Sequence, residues 1–336
     1  MTELYKVLKE PADPGNPAVV YDIAFMHRSL CISGLPVREQ KPNLDGTPST
    51  FVRKGQRFTM RMTTNNLDIP DTNTTIPIGV PYGAKARCLV LWIASQASQS
   101  SSNSNRCLEI GPIKQWLHGI GIGITGDQIN LAKAQLIKLS HTNVSVTVRT
   151  AAESCEDMLV FRNDQFIASG AIATDDMYHY RDGRLDKVRW PQAISIPEST
   201  WNQFRREMVP IPMERLRMIA HSATAIDIFM YLSYRLPRIP VGEKVTVTWR
   251  QLAEQFGGSS DPKSQPPSHF KKIYSNGIQA ALKAYPEARI DEVSEGLVLH
   301  HSDVASLRRA YIASSPIAPA KPTLVRKRFT APEAAA

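Results

Sequence analysis

The chain has 336 residues, which at roughly 150 residues per domain is enough for about two globular domains. Hydrophobic residues make up 42% and charged residues 21%, as in soluble globular proteins, and no apolar run approaches the roughly 20 residues of a membrane span. The net charge of +9 favours an acidic partner such as nucleic acid, although composition does not choose between DNA, RNA and acidic lipid. The N-terminus resembles no secretory signal, so we expect a cytoplasmic protein without a membrane partner.

Residues 1–80 are predicted to form an N-terminal arm with short strands. Many proline and glycine positions in the first fifty residues disfavour regular structure there. Residues 25–30 form one compact apolar stretch, and Phe58, Met60 and Met62 alternate with polar residues at the period of a strand. We expect the apolar stretch to be a short docking element.

Residues 81–175 are predicted to form a first winged-helix domain, in the order helix, strand, helix, turn, helix and hairpin. Pro112 suits the start of one helix, and a capping box of Thr125 and Gln128 begins the next. The predicted elements cover residues 84–97, 106–110, 113–117, 125–140, 144–148, 159–161 and 166–172.

Residues 190–312 are predicted to form a second winged-helix domain after a polar connector at 174–187. The expected elements are a helix, a short strand, a helix begun by a capping box of Thr248 and Gln251, a long amphipathic helix and a hairpin wing. They cover residues 224–236, 245–247, 249–256, 268–285 and 288–300. The side chains predicted to be buried on the long helix are Phe270, Ile273, Tyr274, Gly277, Ile278, Ala281, Leu282 and Tyr285.

The expected fold class is therefore α+β, with two tandem winged-helix domains that could be divergent copies of each other. Residues 313–336 are rich in proline and alanine and carry a basic cluster at 326–328, which predicts a disordered basic tail.

The outward face of the predicted helix at 268–285 is the strongest candidate for a binding surface. Polar side chains recur there every three or four residues, and an α-helix fits the major groove of DNA, where such side chains pair with base edges. Any solvated helix face can carry the same residue types, but the position between a capped helix and a hairpin favours DNA. The residues are Lys272, Asn276, Gln279 and Lys283.

Two further groups are weaker candidates for DNA contacts. His269, Lys271 and Arg289 are placed to contact phosphates, although each residue type is more often an ordinary surface residue. In the first domain a thinner stripe of Asn130, Lys133 and Lys138 is predicted to face solvent or a ligand.

No catalytic constellation is found in the sequence. The glycine pattern at 121–126 follows a predicted helix rather than a strand, so a turn is favoured over a dinucleotide site. The four cysteines lack a CxxC pair, and neither they nor the eight histidines show metal-ligand spacing. We expect no enzyme activity, no metal and no cofactor.

Several ordered blocks resemble the RepA-type family of plasmid replication initiators over about residues 23–302. The blocks cover residues 25–30, 34–36, 80–85 at the start of a predicted helix, 225–236, 270–272, 284–289 and 296–299. One departure lies at 125–128, where the family often carries paired glycines and a basic residue.

The resemblance implies a protein that binds repeated sequences, called iterons, in the double-stranded DNA of a plasmid origin. It also implies assistance in origin opening, recruitment of the host initiator and replicative helicase, and a monomer–dimer equilibrium in which monomers initiate and dimers restrain copy number. On this hypothesis the helix at 268–285 reads bases, the wing at 289–300 grips the backbone and the helix at 125–140 engages a neighbouring groove.

Two alternatives remain open at the level of sequence. A winged-helix transcriptional repressor would share every predicted element. A protein-binding adaptor could use winged helices for protein contacts and carry its positive charge incidentally.

Overall fold

The computed structural model describes residues 23–40, 43, 47–55, 58–69, 72, 74–100, 105–149, 157–257 and 267–302. The α+β class is confirmed, because helices alternate with short strands that pair antiparallel. The tail predicted to be disordered lies outside the described residues, as do the first 22 residues of the predicted arm.

The described part of the predicted arm is integrated into the folded body. It contains β1 and α1 and then four strands, of which β2 and β3 enter a four-stranded sheet with the later hairpin of the first unit. Phe58, Met60 and Met62 point into the core, as their alternation predicts. These elements are β1 (Ile23–His27), α1 (Arg28–Ile32), β2 (Thr50–Lys54), β3 (Phe58–Thr64), β4 (Leu67–Asp68) and β5 (Thr75–Ile76).

The first unit has its helices and strands in the predicted order, but its strands pair differently from those of a three-stranded wing. The hairpin β7–β8 joins β3, giving the sheet order β2–β3–β7–β8, whereas β6 pairs with a later strand. Residues 166–172 contribute only an isolated bridge of Ser169 with Ser195 rather than the predicted strand. The elements are α2 (Gly83–Gln99), β6 (Cys107–Glu109), α3 (Ile113–Gly119), α4 (Gly126–Ser140), β7 (Thr142–Arg149) and β8 (Asp157–Gln165).

The predicted connector at 174–187 contains a helix, and the region after it is also structured. Met177 and Tyr180 of this helix pack against a small buried cluster that includes Ile137 of α4. The sequence gives little signal here because the elements are short and are stabilised by partners far along the chain, such as β1 for β10 and β6 for β9. The elements are α5 (Thr174–Arg181), β9 (Ala193–Ser195), α6 (Glu198–Gln203), β10 (Met208–Pro212) and α7 (Met213–Ile219).

The second unit has the predicted order of helix, strand, helix, helix and hairpin, and its strands form one antiparallel sheet in the order β11–β13–β12. The predicted capping box is present: the Thr248 hydroxyl accepts from the Gln251 N–H at 3.2 Å, and Gln251 Oε1 accepts from the Thr248 N–H at 2.8 Å. The elements are α8 (Ala223–Arg235), a 3₁₀ turn (Leu236–Arg238), β11 (Lys244–Thr248), α9 (Trp249–Phe256), α10 (Pro267–Ala284), β12 (Ile290–Val293) and β13 (Gly296–His300).

One apolar core runs through both units, because α8 packs on α10 and also against α1 and α2. Within it, Arg87 of α2 forms a buried two-pronged ion pair with Asp227 of α8, with N···O distances of 2.7 and 2.6 Å. The other Arg87 hydrogen bonds go to the carbonyls of Leu35, Pro36 and Gly83. The ion pair and the core join residues on both sides of the domain boundaries predicted from sequence. Those boundaries stay a prediction.

Candidate nucleic-acid interface

Helix α10 presents a polar face opposite its buried face. Lys272, Asn276, Gln279 and Lys283 are all exposed. At 100° per residue they fall within a sector of about 60° on the side away from the core. The helix contains no aspartate or glutamate, so nothing on it offsets its lysines. The predicted exposure of this stripe is confirmed.

The inner face of α10 is held by close packing. Phe270, Tyr274 and Ile278 are buried at 5% exposure or less. Gly277 lies where α10 crosses the start of α8, and a Cβ there would come within 2.7 Å of Thr224 Cγ2. Glycine therefore permits this close crossing, and the polar face is presented by a firmly seated helix.

The first unit also contacts the end of α9. Arg53 of β2 is 4% exposed and donates to the carbonyl of Gly257, which ends α9, and to the carbonyl of Gly34. Burial lowers the pKa of Arg53 to about 10, which still leaves the guanidinium charged at neutral pH. A strand of the first unit thus contacts the end of α9.

His269, Lys271 and Arg289 are exposed, as predicted, near the ends of α10. Lys271 is not free, because its Nζ lies 2.7 Å from Glu292 Oε1 on β12. Both side chains are about half exposed (49% and 50%), so the pair contributes little stability, and a phosphate could compete for the lysine.

The wing is acidic, which opposes its predicted contact with the DNA backbone. Asp291, Glu292 and Glu295 are exposed on β12 and the following turn, and residues 290–300 contain no lysine or arginine. His300 Nε2 lies 2.7 Å from Asp291 Oδ2. The carboxylates would repel phosphates, so the flanking Arg289 is the remaining basic candidate in the segment 289–300.

The candidate residues of the first unit are placed differently from the prediction. Lys133 is 8% exposed, and its Nζ donates to the carbonyls of Leu185 and Asp186 at 3.0 and 3.3 Å. Desolvation lowers its pKa. The predicted exposure of Lys133 is therefore wrong, because the chain after α5 covers this side of α4.

Lys138 is also buried rather than available to a ligand, at 7% exposure. Its Nζ lies 2.7 Å from Glu39 Oε1 and 4.7 Å from the centre of the Tyr82 ring. Asn130 is half-buried. The Thr125 hydroxyl caps α4 by accepting from the Gln128 N–H at 3.4 Å, but Gln128 Oε1 has no partner among the described residues, so the predicted capping box is half formed.

The sequence interpretation missed three exposed side chains. Ile273, which was predicted to be buried on α10, is 54% exposed. It lies at the border between the buried and polar faces, where periodicity alone assigns a side chain poorly. Lys54 and Arg61 are exposed on β2 and β3, and their alternation with buried neighbours was the available signal.

Other kinds of site find little support in the described part of the chain. No group of three or more histidine, cysteine, aspartate or glutamate side chains there could hold a metal ion. Burial raises the pKa of the Cys31 and Cys88 thiols, that of Cys88 to about 12, so neither is a ready nucleophile. Among the same residues, no helix combines the length and apolar character needed to cross a bilayer.

Comparisons with known proteins find distant similarity in structure. No protein-family model matches the chain, and no curated protein matches it. A crystal structure of domains 2–3 of RctB is similar with a TM-score of 0.45 and 11% identity, covering 84% of this chain and 98% of that one. A selenomethionine form of the same two domains gives a TM-score of 0.44 and 9% identity, covering 82% and 99%. Similarity at this level identifies neither a family nor a function.

Proposed function

We propose that this protein is a replication initiator that binds repeated sequences in double-stranded DNA and reads them with α10. The observation that carries the proposal is the outward stripe of α10. It combines exposed lysine, asparagine and glutamine side chains with the absence of any carboxylate on the helix. The net charge of +9 fits a polyanionic partner.

The stripe has the chemistry needed to read bases. In the major groove, asparagine and glutamine pair with the N6 and N7 edge of adenine, and lysine pairs with the O6 and N7 edge of guanine. Asn276 and Gln279 would take the first role, and Lys272 and Lys283 the second. His269 and Arg289, at the two ends of the helix, would contact phosphates and set the register.

The choice of an initiator over a repressor rests on the resemblance of the sequence to RepA-type initiators. The proposal accordingly includes assistance in opening the origin, recruitment of the host initiator and helicase, and a monomer–dimer equilibrium. It includes no catalytic step and no cofactor. We remove the acidic wing and the buried lysines Lys133 and Lys138 from the proposed contacts, which leaves α10 as the main reading element.

Footprinting tests the proposal. The purified full chain is bound to the DNA that flanks its own gene over a series of salt concentrations, with an unrelated duplex as competitor. Evenly spaced protected repeats, together with strand opening next to them, support an initiator. A single protected promoter site without opening favours the repressor, and no preference over the competitor contradicts the proposal and favours the adaptor.

A paired variant tests the assignment to α10. Lys272→Ala combined with Asn276→Ala should weaken specific binding by at least roughly thirtyfold at fixed salt, because each of the two lost base contacts costs about 1–3 kcal/mol. The matched control is Lys187→Ala combined with Asn202→Ala, since both side chains are exposed and neither belongs to α10. Equal affinity of the two double variants would contradict the assignment.

A further inference from the structure

Ile273 is an apolar side chain at the edge of a polar surface. Its side chain is 54% exposed. Among the described residues of α10, no other large apolar side chain is exposed to this degree. One helical turn separates it from His269 on one side and from Asn276 on the other. Ile273 therefore borders the stripe that we propose to read DNA.

Core packing does not account for an isoleucine at this position. The inner face of α10 is already filled by Phe270, Tyr274 and Ile278, and the crossing with α8 occurs at Gly277. A single exposed apolar residue is common on protein surfaces and needs no explanation by itself. Its position beside Asn276, on a helix without carboxylates, is what points to a ligand.

We infer that Ile273 contacts the C5 methyl group of a thymine next to the base read by Asn276. This inference rests on the proposed function and deepens it. In the major groove, the C5 methyl group distinguishes the edge of thymine from the edges of the other bases, and apolar side chains contact it. Asn276 and Ile273 together would favour a step that contains A·T pairs.

Replacing thymine by uracil tests the inference, because uracil lacks only the C5 methyl group. The protected site found by footprinting is synthesised with uracil at each thymine position in turn. Affinity is then measured for the full chain and for Ile273→Ala. At one thymine position per site, uracil should lower the DNA affinity of the original chain roughly threefold to fivefold, as expected for the loss of one buried methyl group. The same substitution should leave the affinity of Ile273→Ala unchanged.

Two further variants make the comparison specific. Met218→Ala removes an apolar side chain of similar exposure (58%) on α7 and should keep the full sensitivity to uracil. Ile273→Val should keep part of it. Because Ile273 is exposed, Ile273→Ala should also melt at the same temperature as the original chain.

The outcomes separate this inference from the proposed function. Specific binding in which no thymine is sensitive, or in which Ile273→Ala is as sensitive as the original chain, overturns the inference and leaves the proposed function standing. A change in oligomeric state of Ile273→Ala in sedimentation, with its sensitivity to uracil retained, also overturns it and assigns Ile273 to a contact between copies. Absence of any protected site overturns both proposals.

Discussion

Helices α4 and α10 occupy the same place in the two units, each between a shorter helix and a hairpin, yet their lysines behave in opposite ways. On α4, Lys133 and Lys138 are buried and bind groups of the same chain. On α10, Lys272 and Lys283 are exposed. A polar stripe predicted from helical periodicity is therefore an internal contact in one unit and an open surface in the other, and the difference lies in what packs outside the helix.

The largest expected effect concerns the contact between the two units. Asp227→Ala leaves Arg87 buried without its carboxylate and should lower the free energy of unfolding by about 3–5 kcal/mol. Urea denaturation followed by tryptophan fluorescence measures it. Asp227→Asn, which conserves the shape, should also be strongly destabilised.

Asp186→Ala is the control for this prediction, because Asp186 is 64% exposed, and it should change stability by about 0.5 kcal/mol or less. Separate unfolding transitions for two units in the original chain, with no response to Asp227→Ala, would show that the ion pair does not join them.

An intermediate effect distinguishes the two helices directly. Lys133→Ala removes the donor to the carbonyls of Leu185 and Asp186 and should destabilise the fold by about 1–3 kcal/mol without changing specific DNA affinity. Lys283→Ala should do the reverse, leaving stability unchanged while weakening specific DNA binding by about 1–3 kcal/mol, because the proposed guanine contact is lost. If the two variants exchange these behaviours, the comparison between the helices is wrong.

The smallest expected effect concerns the acidic wing. Glu292→Gln releases Lys271 and removes a negative charge near the proposed phosphate path. DNA affinity should rise roughly twofold to fivefold at low salt, with the gain lost as salt screens the charges, while stability changes by less than about 1 kcal/mol. A fall in affinity would indicate that the pair positions the wing for binding.

The most predictable elements were those with strong local signals. The helices that became α8, α9 and α10 were placed within one residue of their observed ends, since amphipathic spacing and the capping box of Thr248 and Gln251 are properties of neighbouring residues. The exposure of Lys272, Asn276, Gln279 and Lys283 followed from the same periodicity.

What the sequence could not predict depends on contacts between distant residues. The burial of Lys133 depends on the chain after α5, about fifty positions away, and the ion pair of Arg87 with Asp227 joins residues 140 positions apart. Strands β2 and β9 were missed because short strands become stable only with their partners. Ile273 was misplaced because it lies at the border of the buried face.

The bond from Arg53 to the end of α9 bears on how such a protein can diversify. A guanidinium on β2 binds the carbonyl that ends α9, and Asp227 on α8 pairs with Arg87 on α2. A hybrid in which one unit came from a protein without the matching partner would leave a buried charge without its counter-charge or its hydrogen-bond acceptors. On the proposed function, replacing the outward side chains of α10 one at a time would change DNA specificity without disturbing these buried contacts.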